Sequence, residues 1–275
     1  MRIFTIIVIS LLWTSLAYNQ TELEIEGSLR LGDSGDPTPA PGTIRWTGLN
    51  FEGWNGFTWM PLGALHITSI ITDSDGNEYR TVTIGNQEWM AENLRASRFS
   101  DGSEISMVND QITWLNANYG AWCWYDTTNI DDVPYGKLYN WYAVNDTRGV
   151  CPTGWHVPTD AEWTTLIDYL DPIVVNPDAN GTQSTVAGGK MKEAGIIHWR
   201  SPNTGATNES GFTGLPGGAF DPEDTFDGKS SYAYWWSSTD IGNEAWIRQL
   251  GYWFSDVIRS TFPKHQGFPV RCLRD

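Results

Sequence analysis

The run Cys151-Pro-Thr-Gly-Trp-His-Val-Pro-Thr-Asp-Ala-Glu-Trp163 constrains this chain more than any other stretch, because it fixes a helix start and leaves a cysteine just upstream of it. The Thr159 hydroxyl can accept from an unpaired amide of a first helical turn. Glu162, three residues on, can reach back to the Thr159 amide, so the two form a capping box. Trp163, Leu166, Ile167 and Leu170 follow at helical spacing and make one apolar face. Asp171-Pro172 ends the pattern, since a residue before proline avoids the α region. The spacing predicts a helix over 159–170 that packs a core. Gly154 and Pro158 keep the preceding chain out of it. His156, between Trp155 and Val157, reads as a buried, hydrogen-bonded side chain rather than a ligand or base.

The beginning of the chain bears on the cysteines. Met1-Arg2 is basic, Ile3 to Leu16 is apolar, and Ser15-Leu16-Ala17 offers a small-x-small cleavage site, so residues 1–17 read as a signal peptide. The apolar run is shorter than the roughly 20 residues of a membrane-spanning helix. The expected location is therefore secreted, extracellular or on the cell surface. An oxidising compartment favours a disulfide, and three cysteines leave one over. Pairing of Cys151 with Cys272 would tie the helix start to the last strand. Cys123, between Trp122 and Trp124, reads as a small buried hydrophobe. No CxxC pair occurs, and His66, His156, His198 and His265 lack ligand spacing, so no metal centre is expected from them.

A net charge of −16, with 17 Lys plus Arg, argues against nucleic acid or an anionic membrane as partner. The 16 tryptophans are the stronger anomaly. Some must fill a core. Others suit a binding surface, where flat amphipathic rings give contact area.

Along the chain, residues 18–64 form an N-terminal extension and 65–275 a main domain. Glu22 to Leu31 alternate as a strand, and Gly32 to Gly42 has linker composition. Asn55-Gly56 between aromatic runs signals a hairpin within a small β-meander, which must pack on the main domain or on copies of itself, giving a homo-oligomer. In the main domain, Asp73-Ser-Asp-Gly76 reads as a tight turn rather than a calcium loop, because Ile84 stands where such a loop needs its glutamate. Strands are expected at 79–84, 88–91, 212–218, 232–237, 244–250, 257–261 and 268–273. Helices are expected over 135–145 and 183–194. Strands, then helices, then strands make an α+β class.

Eight blocks in order resemble one bacterial family. They begin with Asp75–Gly85, Gln87–Leu94, Tyr135–Val144 and the Cys151–Trp163 run. Ala187–Ala194, Gly205–Phe212, Tyr234–Ser238 and Gly267–Cys272 complete the set. Residues 70–275 thereby resemble the Fibrobacter succinogenes major paralogous domain. The resemblance implies a C-type-lectin-like fold, similar also to formylglycine-generating enzymes, in which the N- and C-terminal strands pair. It implies no activity.

In such folds the ligand face comes from the loops and strands before the last strand. Here Tyr252-Trp253-Phe254-Ser-Asp256 sets three aromatics and a carboxylate at a hairpin tip, with Arg259 beside it. Rings stack on sugars while Asp and Arg bond hydroxyls, so these five residues form the expected site of a glycan or surface-protein ligand. For each aromatic, core packing is the competing reading. The calcium motifs of C-type lectins are absent, although the acidic run Asp221–Asp227 offers oxygen ligands to a calcium and otherwise reads as a solvated loop. Formylglycine-type oxidation needs a cysteine pair, and only Cys272 lies near the C-terminal part. The expected function is a non-catalytic binding or adhesion module. The alternatives are a structural or assembly protein with a trimeric stalk and, behind it, an enzyme.

Overall fold

The computed structural model describes residues 44–46, 51–54, 59–61, 67–125, 130–173, 180–223 and 225–275. The signal-peptide segment, the strand at 22–31, the linker, His66 and the Asn55-Gly56 turn lie outside them. The chain divides into two compact units, 1–62 and 63–275. In the first, β1 (Ile44–Trp46), β2 (Phe51–Trp54) and β3 (Trp59–Pro61) pair antiparallel in the order of a meander.

The second unit is α+β. Its N-terminal sheet begins with β4 (Ile67–Thr72), β5 (Glu78–Ile84) and β6 (Gln87–Met90). The Asp73–Gly76 turn joins the first two, with Gly76 at φ 85°, where a side chain would be strained. The Asp73 carboxylate takes the amides of Asp75 and Asn77, the Asn77 side chain and the Tyr79 hydroxyl. It acts as the brace of the turn.

A small three-stranded group follows. β7 (Ser106–Met107) runs parallel to β8 (Ala121–Cys123), which pairs antiparallel with β9 (Leu138–Tyr139). Helix α1 (Gln111–Leu115) lies between β7 and β8 in the chain, and α2 (Trp141–Val144) follows β9. The helix expected over 135–145 is thus reduced to one turn. Its first half is spent on β9, whose amides and carbonyls answer Trp122 and Cys123, and Asn140 caps what remains.

After β10 (Trp155–His156), α3 (Asp160–Leu170) starts from the Thr159–Glu162 capping box and buries Trp163, Leu166, Ile167 and Leu170. The helix expected over 183–194 is also shorter. Its first residues belong to β11 (Gly181–Ser184), and α4 covers Ala187–Met191. A minor hairpin, β12 (Ala219–Phe220) with β13 (Phe226–Asp227), precedes three long strands. These are β14 (Tyr232–Ile241), β15 (Glu244–Gly251) and β16 (Val257–Pro263), ordered β11-β16-β15-β14. The strand expected over 212–218 does not form. Thr213 has φ 53°, the Phe212 carbonyl goes to the Arg271 side chain, and Gly214 makes an isolated bridge with Lys192 while its carbonyl also takes the Trp199 indole.

β17 (Leu273–Arg274) enters the N-terminal sheet between β10 and β6, in the order β10-β17-β6-β5-β4. The C-terminal strand therefore pairs with β6, the third strand of this unit, and with β10, and it shares Leu273 alone with the expected 268–273. Cys151 and Cys272 form a disulfide, and Cys123 is a free, buried thiol whose pKa burial pushes up.

Two main cores share the same strands. Successive strand residues point to opposite faces, so Trp235 and Trp236 enter different clusters, as do Trp89 and Met90. One core gathers Tyr79, Met90, Tyr139, Trp236 and the disulfide, and the other gathers Trp89, Trp163, Phe212, Trp235 and Leu250. This double demand accounts for many of the tryptophans.

Candidate functional site

The β15–β16 connection is a hairpin tip, and its chain path is set by glycines on neighbouring segments. A side chain at Gly188 would meet the Asp256 carbonyl at 2.2 Å, and one at Gly189 would meet the Gly205 carbonyl at 2.3 Å. The first turn of α4 therefore lies directly against the tip. Gly251 is covered by the Phe254 ring, which a Cβ would strike at 2.3 Å.

Lys192, just past α4, completes the brace. Its side chain is 0% exposed, and its ammonium donates to the carbonyls of Thr204 (2.8 Å), Gly251 (2.9 Å) and Phe254 (2.7 Å). Each N–H has an acceptor, and two of the three belong to the tip. Burial pushes its pKa down to about 8. The Thr204 amide also donates to the Tyr252 carbonyl. Charge patterning could not have revealed Lys192, because its partners are backbone atoms. The sole sequence signal is Gly188-Gly189 just before it.

On this brace Tyr252 is half-buried against the second core, with the Arg200 guanidinium 5.4 Å from its ring centroid. Phe254 is half-buried and meets Trp253 edge to face at 5.2 Å. Trp253 is 58% exposed, the largest exposure of any tryptophan among the described residues. Asp256 is half-buried, 3.4 Å from the Thr182 hydroxyl. The structure thus brings Tyr252, Trp253, Phe254 and Asp256 to one tip.

Arg259 is placed differently from its expected role. It is buried, its guanidinium lies 3.4 Å over the Trp246 ring, and it grips Asp160 at 2.6 Å. Arg248, fully buried, holds the same carboxylate at 2.7 Å. Burial opposes the charge of Asp160, but the hydrogen bond from Arg259 and the Arg248 charge hold its carboxyl below the usual range. Arg259 therefore ties β16 to the first turn of α3. Its partner stands 99 residues upstream, beyond the reach of local pattern.

Two further polar clusters are internally paired. His156 sits between Asp275 (2.7 Å) and Glu162 (3.1 Å), beside a cavity of about 570 Å³ lined by Gln87, Glu88, Glu162, Arg274 and Asp275. Glu88 takes Thr81, Ser69 and Arg274, and Glu162 caps α3. In the acidic run, Asp221 takes the Glu223 amide within the β12–β13 hairpin. Among the described residues no three His, Cys, Asp or Glu side chains are grouped to hold a metal ion. No helix among them is long and apolar enough to cross a membrane.

A family model described as the Fibrobacter succinogenes major domain matches residues 82–274. Comparison with curated proteins and with solved structures returns no match. The matched span holds the second core, the disulfide, the braced tip and all of the first core's named residues except Tyr79, and this chain belongs to the Fibrobacter succinogenes major domain family.

Proposed function

We propose that this chain is a secreted or cell-surface binding module with a C-type-lectin-like fold, working by adhesion rather than turnover. One observation carries the reading: an exposed indole, Trp253, stands on a tip held by a buried ammonium and by close glycine contacts. A rigidly presented aromatic gives contact area at small entropic cost, which is the property of binding hot spots. Tyr252, Phe254 and Asp256 surround it, and a glycan or surface protein is the ligand class that suits rings beside a carboxylate. Arg259 has no part in this site. The basic and apolar start of the chain and the Cys151–Cys272 bond support export.

The test is an array of glycans and cell-wall polysaccharides, probed with the wild-type chain and with Trp253→Ala. Binding by the wild type and its loss in the variant are expected. Equal signals from both would remove the tip from the function, and turnover of any polysaccharide would replace binding with catalysis.

A second reading, assembly through the meander, is favoured by the size of β1–β3. Strands of 3, 4 and 3 residues bury too little to be stable alone. Light scattering on the purified chain tests it: a trimer supports assembly, and a monomer dismisses it.

A further inference from the structure

A second buried lysine, Lys137, is 6% exposed, and its surroundings differ from those of Lys192. It stands one residue before β9, on the strand face that also carries Trp122 and Trp124. Its ammonium lies 3.6 Å from the Trp122 ring centroid and 5.4 Å from that of Trp124. The two indoles meet edge to face, at 6.1 Å and 82°. Among the described residues, the Lys137 ammonium has no hydrogen-bond acceptor and no carboxylate within ion-pair distance. The ammonium is not fully sealed from solvent, because Asn203 Oδ1 is the one fully sealed side-chain polar atom without a partner among those residues.

The nearest acids do not serve it. Asp73 is saturated by the turn it braces, and Asp75 takes the Ser97 amide and hydroxyl and the Arg98 guanidinium. Arg95 lies against the Tyr79 ring. A desolvated ammonium without an acceptor costs free energy unless something meets it. Burial pushes its pKa down to about 8, against the pull of Asp75 and Asp73.

We propose that Lys137, Trp122 and Trp124 form a binding site for a carboxylate-bearing sugar, a uronic acid residue of an acidic glycan. The ammonium offers its free N–H groups to the carboxylate, and Trp124, half-buried, offers indole surface to the C–H face of the pyranose. A single negative charge fits better than a phosphate dianion, because Asp73 and Asp75 lie close enough to repel a second charge. A pyranose chair, which carries its C–H face and its carboxylate on one rigid frame, fits better than an acidic peptide, because the charge and the aromatic surface must be met by one rigid unit. The site uses no residue of the hairpin tip and stands if the reading of that tip fails.

The experiment titrates tri-galacturonate and neutral galactotriose into the full chain, by calorimetry and tryptophan fluorescence at pH 7. Tri-galacturonate is expected to bind at least about tenfold tighter than the neutral trimer, the factor of one modest charge contact. Lys137→Met should remove that advantage while keeping a cooperative melt. In the wild type, the advantage should fade as pH rises from 7 to 9.5, because Lys137 loses its proton through about 8. This readout needs no variant. Equal affinity for the two trimers, or equal tri-galacturonate binding by the wild type and Lys137→Met, would overturn the proposal. So would Lys137-dependent binding of a poly-glutamate peptide in place of the uronate.

Discussion

Lys192 and Lys137 are chemically the same group, similarly buried, each beside an indole and each with a pKa pushed down to about 8. One is met by three carbonyls, and the other by no acceptor among the described residues. Lys192 stabilises the path of a loop, since every donor it buries is satisfied. Among the described residues Lys137 leaves its donors open beside two aromatic rings, which is the condition of a site rather than of a brace. Burial alone does not separate structural from functional cations; the count of acceptors does.

Substitution tests this contrast most severely at Lys192. Lys192→Met leaves three buried carbonyls without donors and should cost about 4 kcal/mol by chemical denaturation. A loss below about 1 kcal/mol would erase the distinction between the two lysines. Arg259→Leu should also behave like the loss of a satisfied cation, at about 3 kcal/mol, because it removes a buried arginine from a half-buried carboxylate that two arginines share. Lys137→Met should change stability by no more than about 1 kcal/mol, since an apolar chain of similar volume replaces an ammonium with no acceptor among the described residues. Trp253→Ala should change it by no more than about 0.5 kcal/mol, as a surface substitution outside the core.

The pH dependence of stability sharpens the same point. A lysine whose folded pKa is lowered binds fewer protons folded than unfolded between about 8 and its ordinary value near 10.5. Stability therefore rises with pH across that window, as each buried ammonium sheds its charge. Arg271, buried and pushed down to about 9, acts in the same direction. Cys123 and the buried tyrosines, whose pKa values burial raises, act in the opposite sense, so the contrast lies in the difference: between pH 8 and 10 the slope of the denaturation midpoint should be more positive in the wild type than in Lys137→Met. Identical slopes would show that Lys137 is not desolvated.

Features carried by local pattern were legible in the sequence. The α3 capping box, the Asp73–Gly76 turn and the strands from Tyr232 onward follow from residues a few positions apart. The disulfide followed from the count and placement of three cysteines. The reading failed where a segment's backbone is used by something distant. Tyr135–Tyr139 has helical residues, but β8 captures its second half, and Phe212–Gly218 has strand residues whose carbonyls serve Arg271 and Trp199. The candidate site divided in the same way. Four residues of the 252–256 run could be named from their spacing, whereas Arg259 meets Asp160 across 99 residues of chain. Lys137 and Lys192 were both in view as letters, and only the fold distinguishes their surroundings.

The placement of β17 has a consequence for the order of assembly. It is the last strand in the chain, yet it lies inside its sheet, between β10 and β6. During synthesis β4–β6 can pair as a meander early, but the edge of β6 stays unpaired until residues near 273 arrive. β10 has no neighbour in that sheet until the same moment. The sheet closes only on contacts between distant parts of the chain, which makes its closure a late and slow event.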